Sequence, residues 1–225
     1  NTLGNSRAFW IGFVAVVAVL LAYPMMRSTY YVSNTAFLLT SAFLGLSLCL
    51  IWGYAGIFSF GQVAFYGIAG YAFGVVGINV AGPLGTMLGL VISVALAAAF
   101  AFVLGYFMFY GGIDDVYVAI ITLAVALVLN TFFGQTSGDE WSIGDAPLGG
   151  FNGMTDIPNL AIGVGDAAVV VEDVAFYYFI VLTLLVTYLG LRVLVNSDIG
   201  YVLVAIRENQ ARTELLGYDT KRVKL

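Results

Sequence analysis

The sequence predicts an all-α, polytopic transmembrane helical bundle, with a broken segment near 53–62 and a short helix pair after the last span. Three observations predict it. Of the 225 residues, 61% are apolar and only 9% charged, against roughly a quarter charged in an ordinary soluble domain. No Asp, Glu, Lys or Arg stands between Arg27 and Asp114, a run long enough for three crossings of a ~30 Å hydrocarbon core at about 20 residues each. The remaining charges are sorted along the chain, acids in one loop and bases in the tail. A water-soluble fold is excluded, because its surface would need far more charge. The chain has no histidine and a single cysteine, Cys49. That excludes an internal disulfide and removes the donors for a zinc site or for Ser/His and Cys/His catalysis. No catalytic residue and no metal site is expected, and Cys49, inside an apolar run, reads as a small buried side chain.

Taken in order, six stretches have the length and apolarity of a span: 9–26, 35–52, 62–80, 86–109, 116–133 and 174–195. The first is too long for a signal-peptide core, and Tyr23-Pro24-Met25-Met26-Arg27 occupies the place of a small-residue cleavage site, so it is expected to be a retained helix. Orientation follows from the lysines and arginines of the loops. Residues 134–174 carry seven acids (Asp139, Glu140, Asp145, Asp156, Asp166, Glu172 and Asp173) and no base, whereas 192–225 carry six bases. The 134–174 loop is therefore expected outside the cytoplasm and the 196–225 segment inside it. Counting back puts the N-terminus and the Asp114-Asp115 turn in the cytoplasm as well. Arg27, which then falls outside, is the one charge against this arrangement.

Between the second and third stretches, Gly53, Gly56 and Gly61 interrupt helical spacing before it resumes at Gln62. Non-helical backbone at membrane depth is tolerated only where protein buries it or water reaches it, so the break points towards a pathway. A ladder follows at Gly67, Gly70, Gly74 and Gly77, whose small-xxx-small spacing suits close helix packing. The uncharged polar residues of the spans, Ser59, Gln62, Thr122 and Asn130, with Ser41 and Ser47 weaker, are the candidates to line a passage, with interhelical hydrogen bonding as the alternative use of each. No ionisable residue lies inside a span, so no proton relay is visible. Such an absence favours an energy source in another subunit.

After the last span, Ser197 or Asp198 is placed to cap a helix, Val202, Ile206 and Leu215-Leu216 offer an apolar face, and Gly217 suits a helix end. Both signs of charge are interspersed there, unlike the mainly basic face of a helix lying on lipid. A surface for a soluble partner is the reading that fits. Despite 27 glycines, no Gly-Lys-Ser/Thr closes a phosphate loop, so the chain itself is expected to bind no nucleotide. The paired acids Asp114-Asp115, Asp139-Glu140 and Glu172-Asp173 read as solvated loop residues, and no nucleic-acid partner is expected.

The run from Leu50 to Tyr71, with Trp52-Gly53, Ser59-Phe60-Gly61 and Ala64-Phe65-Tyr66-Gly67 in that order, resembles the glycine-rich signature of permease subunits of branched-chain amino acid ABC importers, a family shared with urea importers. Thr122-Leu123-Ala124 and the run Gly149 to Pro158 look like its later span and outward loop, and Gly200 to Gly217, with Ala205-Ile206-Arg207-Glu208 inside it, is similar to its cytoplasmic coupling segment. The resemblance implies one transmembrane permease domain over 1–225, in the bilayer of the cell membrane. It further implies a second homologous permease, two cytoplasmic ATPases that bind the ATP, and an extracytoplasmic solute-binding protein. Carried over by position, Gly200, Ala205, Ile206, Arg207, Glu208, Ala211, Leu216 and Gly217 would meet the ATPase, and Gly149, Gly150, Asn152, Gly153 and Pro158 would face the binding protein. Further spans follow the coupling segment in the family, so C-terminal spans are expected to be lacking here. Branched-chain amino acids are the leading substrate; urea or another short amide, a passive channel, and a subunit that only docks its partner are the alternatives.

Overall fold

The computed structural model describes residues 6–138, 140–163 and 165–225, with the backbone alone at Asp166; of the seven loop acids, Asp139 and the side chain of Asp166 thus lie outside the described residues. The helices are α1 (Arg7–Met26), α2 (Thr29–Ala55), α3 (Gln62–Asn79), α4 (Pro83–Tyr110), α5 (Asp115–Gln135), α6 (Asp173–Val195), α7 (Asp198–Leu215) and α8 (Thr220–Lys224). The loop between α5 and α6 carries two antiparallel two-residue hairpins, β1 (Ser142–Ile143) with β2 (Ala146–Pro147) and β3 (Ala161–Ile162) with β4 (Val169–Val170). The expected all-α bundle is what forms.

Of the six anticipated spans, five helices are long and apolar enough to cross a membrane: α1, α2, α4, α5 and α6. The 18-residue α3 is not among them. Its polar ends, Gln62 and Asn79, and its four glycines dilute its apolarity, although at about 27 Å it nearly matches the hydrocarbon thickness. Its most extensive partner is α4, and the close approach comes from Gly89 of α4, where a Cβ would sit 3.2 Å from the Phe73 carbonyl oxygen.

A second group is α1, α2 and α6. Pro24 lies inside α1; without an N–H it leaves the Leu20 carbonyl with no helical donor. The fully buried Tyr177 of α6 donates its hydroxyl to that carbonyl at 2.8 Å, and Tyr178 donates to Leu21 O at 3.1 Å. In lipid every such group needs a protein partner, so the proline and the tyrosine are one device. Val32, Ala36 and Val181 complete the small core around Tyr177.

The two ends of the bundle differ. The 136–172 loop covers the C-terminal ends of α3 and α5 and the N-terminal end of α4. α7 and α8 lie against the opposite ends, where a Cβ on Gly105 of α4 would meet Leu225, and the start of α1 lies at that same end, with Phe9 beside Arg192. Cys49, expected buried, is exposed on the side of α2.

Candidate functional site

The break is narrower than the glycines suggest. Gly53 remains helical, and α2 ends at Gly56 in the left-handed region at φ 76°, which only glycine adopts readily. Residues 56–61 then run without helix into α3. Three contacts hold this segment. Ile57, almost wholly buried, inserts among Ala55, Met108, Val118 and Leu203 of α7. The buried Thr122 of α5 accepts the Phe60 N–H at 3.1 Å and donates to Val118 O at 2.8 Å. Ser59 Oγ accepts the Gly61 N–H at 3.1 Å. Thr122 and Ser59 therefore spend their hydroxyls on shaping the break.

Gln62 differs from them: at 8% exposure its Nε2 is the buried side-chain nitrogen or oxygen that has no partner among the described residues. A buried amide donor without a partner carries a desolvation penalty of about 1–3 kcal/mol. Asn130, one to two turns from the loop end of α5, is exposed and lines a cavity of about 310 Å³ with Gly67, Gly150, Phe151, Asn152 and Gly153. The structure thus brings one candidate of the passage, one glycine of the ladder and four residues of the loop to one hollow. Ser41 is exposed and Ser47 half-buried on α2.

The glycines of the ladder differ in what they meet. Beside Gly67 and Gly70 there is open space, whereas a Cβ on Gly74 would lie 2.9 Å from Met154 Sδ and one on Gly77 3.0 Å from Pro158 Cγ. Gly74 and Gly77 receive the loop. Asn79 and Thr86, which sequence reasoning missed as anchors, fasten it: Asn79 Nδ2 donates to Ile143 O at 2.8 Å and its Oδ1 accepts the Asp145 N–H at 2.9 Å, while Thr86 Oγ1 accepts the Ala161 N–H at 3.0 Å. Gly149 turns the loop at φ 77°, its Cα so close to the Gly153 carbonyl that a Cβ would lie 1.9 Å from the oxygen.

At the other end α7 is a helix pair, as expected: Asn209 at φ −162° and ψ 98° interrupts it, and its side chain accepts the Arg212 N–H at 2.9 Å to restart the second piece. Gly200, Leu203 and Ile206 form the inward face; a Cβ on Gly200 would strike the Val195 backbone at 2.1 Å. Ala205, Glu208, Ala211, Leu216 and Gly217 are exposed. Leu215 and Leu216, read as part of an apolar face, are 87% and 77% exposed. Arg207 binds back on the break. It donates to Gly53 O at the end of α2, its stem fills the space left by the missing side chain of Gly56, and Glu208 Oε1 holds its guanidinium at 2.7 Å. A cation on the last carbonyls of a helix is favourably placed.

α8 closes this end. Lys224, with a side chain 6% exposed, pairs with Asp115 at 2.9 Å and donates to Gln210 Oε1 at 2.9 Å. Glu214 accepts from Thr220 Oγ1 at 2.6 Å and from Gln210 Nε2 at 2.9 Å. Those two hydrogen bonds, Thr220 first, hold its carboxyl below the usual carboxylate value against the opposing effect of desolvation, with lesser help from Lys221 and Lys224. Asp115 is thus an ion-pair partner, where its sequence neighbourhood suggests only a solvated turn. No group of three metal-ligating side chains occurs among the described residues.

A family model described as "Branched-chain amino acid transport system / permease component" matches residues 30–225. No curated protein and no solved structure matches the chain.

Proposed function

Because the chain belongs to the family of branched-chain amino acid transport permease components, we propose that it is the membrane-spanning subunit of an ATP-driven importer that carries branched-chain amino acids. In this reading it works with a second homologous permease, two cytoplasmic ATPases and an extracytoplasmic solute-binding protein. The 196–225 segment and the start of α1 face the cytoplasm, and the 136–172 loop faces the binding protein.

The observation that supports the reading best is the junction of α7 with the break. The outward side of α7, ending in Leu215 and Leu216, is left uncovered, while its inward side reaches the break through Leu203 and Arg207. A partner that grips the outward side and closes would move Gly56 and Ile57. Gln62, with its unpartnered amide at the start of α3, stands beside the moving segment and offers a donor to a solute carboxylate.

The test is uptake of labelled leucine into vesicles holding the assembled complex. Uptake should need ATP and binding protein, yield to excess isoleucine and ignore urea, and Gln62→Leu should lower it. Competition by urea would make the chain a short-amide permease. Leucine flux through the chain alone, without ATPase, would make it a channel.

A further inference from the structure

α8 is tied on two sides, to Asp115 at the start of α5 through Lys224 and to Gln210 and Glu214 in the second piece of α7 through Lys224 and Thr220. A helix of five residues is too short to hold itself in water, so these ties set its position. They leave a gap. Between α8, the α4–α5 turn and α7 lies a hollow of about 130 Å³, lined by Phe109, Ile113 and two pairs of charged residues, Asp114-Asp115 and Lys221-Lys224. Asp115 and Lys224 are spent on each other. Asp114 and Lys221 are not: both are exposed, neither forms an ion pair among the described residues, and Asp114 gives α5 no capping bond. Lys221 stands three residues before Lys224, on the same face of α8, and Asp114 directly precedes Asp115. The unused acid and base therefore flank the pair that is made. In this position the charge of Lys221 acts on Glu214. The turn can yield, because Gly112 stands at φ 71° with open space where a side chain would begin.

We propose that α8 is a clasp with two positions: open, with one ion pair, as in the structure, and closed over the hollow with a second, Lys221 on Asp114. The proposal stands apart from the transport reading. Salt separates the two pairs. The Lys224 side chain is 6% exposed and its pair is little screened, whereas Lys221 and Asp114 would meet at the surface, where salt weakens an ion pair. Low ionic strength closes the clasp and high ionic strength opens it. Thr220 links α8 to Gln210 and Glu214, so the piece of α7 that ends in Leu215 and Leu216 takes its position according to the salt around it.

Hydrogen exchange of the α8 amides in the full chain in mixed micelles, corrected for intrinsic rate, reads the position. Raising salt from about 0.05 to about 1 M should speed it about threefold, the worth of one exposed pair. Asp114→Asn leaves α5 with an equally good cap. It should bring the low-salt rate up to the high-salt one and remove the salt response. Lys221→Gln should do the same, Lys221→Arg should keep the response, and Asp114→Asn with Lys221→Gln should be no faster than either alone. A rate in the unsubstituted chain that ignores salt overturns the proposal, and that measurement needs no variant to fold. A salt response that survives Asp114→Asn also overturns it, because Lys224 and Asp115 would then account for the response. So do additive effects of Asp114→Asn and Lys221→Gln, since the two groups would not meet.

Discussion

Replacing Gly56 by alanine tests the junction between α7 and the break. The left-handed backbone at φ 76° costs a residue with a Cβ roughly 1–2 kcal/mol. The new methyl would also lie 2.5 Å from Arg207 Cγ, so the arginine must leave Gly53 O. A hydrogen bond from a charged donor contributes about 1.5–3 kcal/mol when buried; with the Arg207 side chain 40% exposed, screening reduces this to about 1 kcal/mol. Gly56→Ala should therefore destabilise the chain by about 2–3 kcal/mol and Arg207→Ala by about 1 kcal/mol. The double variant should be no worse than Gly56→Ala alone, because the same contact is lost once. Unfolding in mixed micelles, followed by Trp52 in the last turn of α2, measures the cycle, and ATP hydrolysed per leucine imported by the assembled complex should rise in all three variants. If the two costs simply added, the arginine and the glycine would not share a contact, and the junction would lose its role.

Four further outcomes are expected. Tyr177→Phe should cost about 1 kcal/mol in the native chain and close to nothing beside Pro24→Ala, which returns a helical N–H to Leu20 O; equal costs in both backgrounds, measured by the same unfolding assay, would break the pairing. Thr122→Val strands the Phe60 N–H and should cost about 1 kcal/mol, while Thr122→Ser should be nearly neutral. Asn79→Ala should speed hydrogen exchange at 142–147 with little change in overall unfolding, since it frees only the first hairpin. The depressed pKa of Glu214 means that its stabilising contribution is complete above the ordinary carboxylate value of 4.5 and is lost as the pH falls through the lower folded value. Exchange in α8, corrected for intrinsic rate, should therefore be steady from pH 7 to 5 and accelerate below about 4.5, and Glu214→Gln should remove that dependence.

Composition and charge-free length were enough to identify the helices, because lipid allows few alternatives and each span announces itself by its run of apolar residues. The break was legible for the same reason, through Gly56 and Gly61, whereas the kink at Asn209 had no signal that was followed. What stayed hidden was partnership. The spacing of Gly67 to Gly77 says that small residues share a face, but not that Met154 and Pro158, some eighty residues later, fill it. Asn79, Thr86 and Tyr177 act on backbone groups far along the chain, and a side chain's type does not name its acceptor. Pro24 was the one signal that could have been followed: a proline within a span demands a donor from elsewhere, and the tyrosines of α6 were the available ones. Leu215 and Leu216 show the opposite limit, an apolar pair whose pattern fits burial although both are largely exposed among the described residues.

α3 begins at Gln62, against the break, and ends at Asn79, under the loop. At about 27 Å the helix spans from the break to the loop as one continuous element, tied at its far end by Asn79. Its buried glycines, Gly74 and Gly77, and its polar ends set it against the loop and the break, with α4 along its side. The residue beside the break and the residue under the loop thus belong to one helix, which joins the two ends of the molecule directly.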